Sequence, residues 1–124
     1  MDNTLKKLKE VHSSCLIIIL YKDNFRIYNE DAKIIEYNSN LISKKDVLVC
    51  NNKYLDSIKK ILKKNKINYV ILDRERNYNI YDYYYSDLNK YDIYLKRSKI
   101  FNSIRRIFIF FNNLIFGIPF NRYK

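Results

Sequence analysis

Apolar residues form short continuous runs in some parts of this chain and recur at helical spacing in others. Continuous runs at 16–21 and 47–50, and a run at 67–72 that only Asn68 interrupts, are typical of buried strands. Apolar residues three or four positions apart predict helices over 4–11 and 53–65. We therefore expect an α/β fold in which a small mixed β-sheet carries flanking helices.

The order of these segments predicts how the strands are connected. A turn-prone Lys22-Asp23-Asn24 separates the run at 16–21 from a second strand at 25–28, which predicts a hairpin with the first strand central. Asn29 is then expected to cap a helix whose first turn contains Glu30 and Asp31. Strand, helix and strand over 47–72 has the spacing of a crossover unit, so we expect 47–50 to pair in parallel with 67–72.

The C-terminal part is divided between a tyrosine-rich segment and a long helical pattern. Residues 74–85 predict an edge strand followed by a loop. Ser86 is expected to open a long C-terminal helix that Gly117 and Pro119 end. The apolar positions of that helix are Leu88, Tyr91, Leu95, Phe101, Ile104, Phe108, Phe111 and Ile115. We expect an α/β domain over 1–99 and a basic, Phe-rich helical extension over 100–124.

Charge adds information about partners. The chain has 124 residues with 24 Lys and Arg against 13 Asp and Glu, a formal net charge of +11 that favours polyanionic partners. No acid follows Asp92, so positive charge is concentrated toward the C-terminus. With 13 Tyr and a single Gly, the composition also indicates an AT-rich coding sequence, to which part of the lysine excess is attributable. A chain of this length is one domain without a separate catalytic lobe.

The cysteines and the N-terminus indicate a reducing compartment. Cys15 and Cys50 stand alone in apolar runs, without Cys-x-x-Cys spacing or a histidine cluster, so we expect buried free thiols and neither a metal site nor a cofactor. The basic residues before the run at 16–21 resemble the start of a signal peptide. The apolar run is too short for one, however, and no cleavage site follows it. We therefore expect a cytoplasmic protein.

One segment resembles a known family. The residues Lys22-Asp23-Asn24-Phe25-Arg26-Ile27-Tyr28-Asn29-Glu30-Asp31-Ala32 lie within a strand, turn, strand, helix, strand, helix, strand order over 16–73. This region resembles the N-terminal mismatch-recognition domain of the DNA mismatch repair protein MutS, in which Gly-Asp-Phe-Tyr-Glu precedes an acidic-Asp-Ala helix start. The resemblance implies that domain's fold and a role in binding DNA.

The residues that read a mismatch in that family are both replaced here. When Glu30-Asp31-Ala32 is aligned with the family pattern, Asn24 takes the place of the wedge Phe and Arg26 that of the base-contacting Glu, while Phe25 takes the place of a Tyr. A shift of one residue would instead make Phe25 the wedge. The chain has no Gly-rich Walker loop. The resemblance thus implies a stand-alone, non-catalytic nucleic-acid-binding or accessory module.

Two groups of residues are candidates for contact with DNA or RNA. The first combines an aromatic ring with a guanidinium on the second strand, and the second is the basic face of the helix over 53–65. They are Asn24, Phe25 and Arg26, and Lys59, Lys60, Lys63 and Lys64. The alternatives are a half-buried strand Phe and an ordinary solvated lysine face. The sequence does not distinguish DNA from RNA.

Three further patterns offer alternative functions. The tyrosines over 78–85 offer stacking surfaces for single-stranded bases, or form an ordinary edge strand. Asp73 and Glu75, with Asp23 as a companion, suggest a metal-dependent nuclease, but no motif fixes their geometry, so we expect no enzyme activity. The segment Phe101–Phe116 is too short to span a bilayer, and packing on the domain's own sheet or pairing between protomers of a homo-oligomer is the favoured interpretation. A protein partner and, less favoured, attachment to a membrane surface are the alternatives.

Overall fold

The predicted α/β class is confirmed by a computed structural model, which describes the backbone of residues 2–116 and the side chains of residues 3–104. These residues form a mixed sheet with flanking helices. The strands are β1 Leu16–Leu20, β2 Asn24–Tyr28, β3 Val47–Asn51, β4 Tyr69–Asp73 and β5 Asn79–Tyr84. The helices are α1 Asp2–Val11, α2 Asn29–Asn38, α3 Leu55–Lys64 and α4 Tyr91–Phe116.

The sheet has the strand order β3-β2-β1-β4-β5, so β1 is central as predicted. β1 pairs in parallel with β4, and every other neighbouring pair is antiparallel. The predicted parallel pairing of 47–50 with 67–72 is therefore wrong, because β3 pairs with β2. Parallel strands are ordinarily buried on both faces. β1 and β4 meet that condition, whereas β3 is an edge strand on which Val49 is 54% exposed.

The two faces of the sheet are covered unequally. On one face, which we call the helix-covered face, α2, α3 and α4 pack against inward residues of β1 to β4. That core contains Leu16, Ile18, Phe25, Ile27, Ala32, Ile34, Ile35, Leu48, Cys50, Ile58, Leu62, Tyr69, Ile71 and Tyr91. The other face, which we call the open face, buries Ile17, Ile19, Val70 and Leu72 beneath α1 and the side chains of Tyr21, Tyr28 and Tyr78. Strand alternation therefore separates a sealed core from a partly accessible surface.

Most predicted local features of the first half are confirmed, with two corrections. Leu5 and Leu8 of α1 pack on the open face, but Val11, expected on the same side, is exposed because it lies in the last turn of α1, where the chain turns back toward β1. α2 begins at Asn29 itself and its N-cap position is Tyr28, so Asn29 is not the cap. Both cysteines are buried free thiols, as predicted.

A buried carboxylate on α2 joins elements from both sides of the sheet. Asp31 accepts hydrogen bonds from the Ile17 backbone N–H at 3.0 Å and from the Tyr91 hydroxyl at 2.6 Å, and it forms a salt bridge with Lys9 at 3.0 Å. It occupies the point where β2 leaves β1 to enter α2, so it supplies the acceptor that a strand would otherwise provide. Burial raises the pKa of Asp31, against the lowering effects of Lys9, Tyr91 and Ile17.

The C-terminal helix is confirmed, but it begins at Tyr91 rather than at Ser86. The residues between are held in a loop, because Asn68 accepts the Ser86 N–H at 2.7 Å and Asn89 accepts the Tyr91 N–H at 3.1 Å. α4 packs on α2, where Tyr37 makes edge-to-face contacts with Tyr94 and Phe101. The predicted stop at Gly117 and Pro119 lies outside the described residues.

Candidate functional site

Alternation along β2 sends neighbouring residues of the predicted site to opposite faces. Phe25 is 0% exposed and packs in the helix-covered core, so its ring offers no stacking surface. The structure therefore supports the alternative stated for Phe25, an aromatic side chain packed within a strand. Arg26 lies on the open face, as does Asn24, whose Oδ1 is buried without a hydrogen-bond partner among the described residues.

Arg26 belongs to a compact cluster at one end of the open face. Its Cζ lies 4.1 Å from the centroid of the Tyr21 ring, and the Cζ of Arg74 lies 5.0 Å from the same centroid. The Tyr21 hydroxyl is 2.8 Å from the Tyr28 hydroxyl. We call these four residues the Arg–Tyr cluster. Two guanidinium groups thus share one aromatic ring, an arrangement that cation–π attraction stabilises.

Strand register explains why these residues meet. In the parallel pair β1 and β4, Leu20 is opposite Asp73. Tyr21 and Arg74, the next residue after each strand, therefore lie side by side at the same end of the sheet. The hairpin places Arg26 opposite Ile19. Ile19 is two residues before Tyr21, so Arg26 and Tyr21 point to the same face of the sheet. Burial, followed by the hydrogen bond with Tyr21, raises the pKa of Tyr28 to about 12. The Tyr28 phenol therefore stays neutral and adds no negative charge beside the two arginines.

The two guanidinium groups are not neutralised within the described part of the chain. Neither Arg26 nor Arg74 lies within salt-bridge distance of a carboxylate among residues 3–104. Arg76 differs, because its Nε is 3.8 Å from an Asp73 carboxylate oxygen. The Nε of Arg26 is buried and has no hydrogen-bond partner among those residues. Planar guanidinium groups without acid partners are the side chains best suited to binding phosphate oxygens.

The predicted lysine face lies on the other side of the sheet. α3 packs through Ile58 and Leu62 on the helix-covered face, and its lysines point away from that core. Lys59 forms a salt bridge with Asp82 on β5 at 2.7 Å. The exposed lysines of this helix are Lys60, Lys63 and Lys64. The structure therefore does not bring the two groups of predicted contact residues together into one surface.

The tyrosine-rich segment forms β5, the predicted edge strand. Tyr84 points to the helix-covered face, where its ring stacks on Tyr69 with centroids 5.8 Å apart. Tyr83 and Tyr85 are 57% and 54% exposed, and their ring centroids lie 5.2 Å apart. Ile80 on the same strand is also exposed. These side chains extend the accessible part of the open face toward the β5 edge.

The carboxylates proposed for a nuclease have other contacts. Asp73 accepts the backbone N–H of Glu75 at 3.0 Å and pairs with Arg76. A cleft of about 320 Å³ beside it is lined by Asp73, Arg76, Asn79, Ile80 and Tyr81, which include a single carboxylate. Within the described residues, no three His, Cys, Asp or Glu side chains lie close enough together to hold a metal ion.

The outer face of α4 carries exposed apolar side chains. Ile93, Ile100 and Ile104 are each exposed by about half. They recur seven and four residues apart, with Lys96 and Arg97 between the first two. Among the described residues, no helix is long and apolar enough to cross a membrane. The predicted contact segment Phe101–Phe116 continues beyond residue 104, and its later side chains lie outside the described ones.

Sequence reasoning identified Arg26 but missed Tyr21 and Arg74. In the sequence Arg74 stands between the acids Asp73 and Glu75, and Tyr21 ends an apolar run, so neither position indicates a binding site by itself. A correct pairing of β1 with β4 would have placed both residues beside the hairpin. The length of the apolar runs does not choose this partner, because the runs at 47–50 and 69–72 are equally long.

Comparison with known proteins gives no relative from which a function could be transferred. No protein-family profile matches this chain, and no curated protein is significantly similar to it. The function has to be argued from the geometry alone.

Proposed function

We propose that this chain is a stand-alone, non-catalytic nucleic-acid-binding module that contacts the phosphate backbone through the Arg–Tyr cluster. The observation that carries the proposal is the position of Arg26 and Arg74 beside one tyrosine ring, with no carboxylate in salt-bridge distance within residues 3–104. Two positive charges beside the same ring suit an anion with several oxygens. The net charge of +11 supports the same class of partner.

The resemblance to the MutS mismatch-recognition domain gives a second line of support. Strands β1 and β2, helix α2, strand β3, helix α3 and strand β4 follow in the order that the resemblance implies. Arg26, at the position aligned with the base-contacting Glu of that family, is on the open face, and Phe25 is in the core. In this proposal, the arginines bind the phosphate backbone of the nucleic acid, where the MutS domain recognises a mismatch with its Phe and Glu.

Fluorescence anisotropy tests the proposal directly. Labelled matched duplex, mismatched duplex, single-stranded DNA and RNA are titrated with the protein across a salt series. Arg26→Gln and Arg74→Gln are each expected to lower affinity about tenfold, or about 1.4 kcal/mol, because each removes a charge-assisted contact. The slope of log K against log salt should fall by about 0.7–0.9 for each lost phosphate contact.

Arg76→Gln is the matched control, since it removes the same charge two residues from Arg74. Arg76 already pairs with Asp73, so its loss should change affinity less than about twofold. An equal loss of affinity in all three variants would show that net charge, and not the cluster, determines binding. Lys60→Gln provides the same comparison for the face of α3. Absence of binding to every probe at low salt would rule out the function.

Self-association through α4 is the second candidate function. Ile93, Ile100 and Ile104 follow heptad-like spacing on the outer face of α4, and the sequence continues it with Ile107 and Phe111. α4 has 26 residues and α2 has 10, so at about 1.5 Å per residue α2 is long enough to cover less than half of α4. Exposed apolar side chains at this spacing, as at Ile93, Ile100 and Ile104, are typical of a helix that pairs with a second copy.

Molar mass measured by light scattering over a range of concentrations tests this second candidate. We expect a dimer for the wild type and a monomer for Ile100→Asp. Leu88→Asp is the control, because Leu88 is an equally exposed apolar residue outside α4. A monomeric wild type at the highest concentration would exclude self-association. Co-sedimentation of that monomer with anionic but not neutral vesicles would indicate membrane-surface attachment instead.

A further inference from the structure

The open face has an unusual distribution of charge. Strand residues that point to it include Arg26 and no Asp or Glu, because the two strand carboxylates, Asp73 and Asp82, lie on the other side of the sheet. Asp82 is opposite Ile71, a residue of the helix-covered core, and it pairs there with Lys59. The strands themselves therefore bring no negative charge to the open face.

The same face carries accessible aromatic rings. Tyr83 is opposite Val70, which is buried on the open face, so Tyr83 points to that side. Tyr85, two residues on, lies beside it with ring centroids 5.2 Å apart and an interplanar angle of 40°. At this separation no base fits between the two rings, but their outer surfaces are free for stacking. Burial and the neighbouring Cys15 raise the pKa of Tyr85, which keeps its ring uncharged near a phosphate chain.

The aromatic pair and the Arg–Tyr cluster are within reach of one strand of nucleic acid. Tyr83 is level with Val70, which precedes Arg74 by four residues along β4. At about 3.3 Å per residue along a strand and about 4.8 Å between strands, Tyr83 lies roughly 14 Å from Arg74 and roughly 16 Å from Arg26, which is level with Leu72 and three strands away. A few nucleotides of an extended single strand span these distances. A duplex keeps its bases stacked inside and presents only phosphates to such a surface.

We propose that the open face binds single-stranded nucleic acid, with bases stacked on Tyr83 and Tyr85 and phosphates held by Arg26 and Arg74. This inference rests on the proposed function and adds the class of nucleic acid. Stacking on tyrosine requires unpaired bases and tolerates any sequence, so the site distinguishes strand state and not base identity.

An abasic strand separates stacking from charge. Three labelled probes of equal length, about 12 nucleotides each, are compared by anisotropy: oligo-dT, an abasic strand with the same phosphates, and a duplex. Oligo-dT should bind the wild type about tenfold more tightly than the abasic strand, since the bases contribute stacking. The double variant Tyr83→Ser with Tyr85→Ser should remove most of that difference and leave affinity for the abasic strand unchanged.

Tyr54→Ser is the matched control, because Tyr54 is also exposed by half but belongs to the short turn before α3. It should bind all three probes as the wild type does. Equal binding of oligo-dT and the abasic strand, or tighter binding of the duplex, would overturn this inference while the nucleic-acid-binding function stands. Binding of none of the probes at low salt would instead overturn the function itself. The comparison of probes on the wild type needs no variant to fold.

Discussion

The two faces of the sheet are built from the same strands and differ in what covers them. On the helix-covered face three helices seal a continuous apolar core, and the carboxylate of Asp82 is neutralised by Lys59. On the open face a single helix covers four buried aliphatic residues, and the remaining surface carries arginine and tyrosine. If the open face binds as proposed, stability and recognition are assigned to alternate residues of one strand, with Phe25 and Arg26 as the clearest neighbours.

The largest effect on stability is expected when Phe25 and Arg26 are substituted one at a time. Phe25→Ala removes a fully buried ring and is expected to lower the free energy of unfolding by about 3–5 kcal/mol. Arg26→Ala should lower it by about 1 kcal/mol or less, because Arg26 is only half-buried and its buried Nε has no hydrogen-bond partner among the described residues. Urea denaturation followed by circular dichroism measures both. Comparable losses for the two variants would mean that the faces do not divide stability from recognition.

The second effect tests the contact that joins the faces. Asp31→Asn should cost about 3 kcal/mol, because an amide group replaces one carboxylate oxygen among the donors Lys9, Tyr91 and Ile17. The control is Glu30→Gln, which alters the preceding acid, a partly exposed residue paired with Lys99. It should cost less than about 1 kcal/mol. Equal unfolding midpoints for the two variants in urea would show that Asp31 is dispensable.

Two tyrosine hydroxyls provide a smaller contrast between the faces. The hydroxyl of Tyr69 is buried in the core without a partner among the described residues, and burial raises the pKa of Tyr69 to about 12. Tyr69→Phe should therefore leave stability unchanged or raise it by about 1 kcal/mol. Tyr28→Phe removes the bond to Tyr21 and should lower stability by about 1 kcal/mol. Thermal unfolding measures both, and shifts of the same sign would contradict the contrast.

The smallest effect concerns the ion pair of the helix-covered side. The hydrogen bond that Lys59 donates to the Asp82 carboxylate lowers the pKa of Asp82 and raises the pKa of Lys59. The stabilisation is thus fully present between the unfolded pKa values of about 4 and about 10, and is lost as pH falls below or rises above them. Both groups are partly exposed, so Asp82→Asn should cost about 0.2–1 kcal/mol at pH 7 and less in high salt.

As the pH falls below the unfolded pKa of Asp82 and through its lowered folded pKa, Asp82→Asn should progressively approach wild-type stability. Asp56→Asn is a suitable control on the same side, because Asp56 is exposed in the first turn of α3 and is in no salt bridge within the described residues. A stability difference between Asp82→Asn and wild type that does not change with pH would show that the charge of Asp82 is not its source.

Local structure was more predictable from this sequence than pairing was. The strands, the amphipathic α3 and the hairpin follow from periodicity, which depends on neighbouring residues alone. The partner of β4 depends on which strands are buried on both faces, and connection length favoured the wrong neighbour, β3. The start of α4 was missed because Asn68 and Asn89, which hold the preceding loop, act across the fold.

The candidate site was predictable only in part, for the same reason. Arg26 was found from its position in the hairpin, whereas Arg74 and Tyr21 join it only through the pairing of β1 with β4. The alignment with the family is anchored on Glu30-Asp31-Ala32, and in this chain Asp31 and Ala32 stabilise the fold. Asp31 and Ala32 are buried at the start of α2. A match at these residues therefore informs about folding more than about recognition.

The short turn between β1 and β2 restricts how this surface is able to evolve. Insertion or deletion of one residue at 22–23 would rotate all of β2 to the opposite face. The Arg26 guanidinium would then enter an apolar core and Phe25 would be exposed, a change that selection would remove. Substitutions at 24 and 26 keep this parity. If the surface binds as proposed, point mutations and length changes of two residues are able to alter its binding preference. Insertion or deletion of a single residue in the turn is not, because it exchanges the two faces of β2.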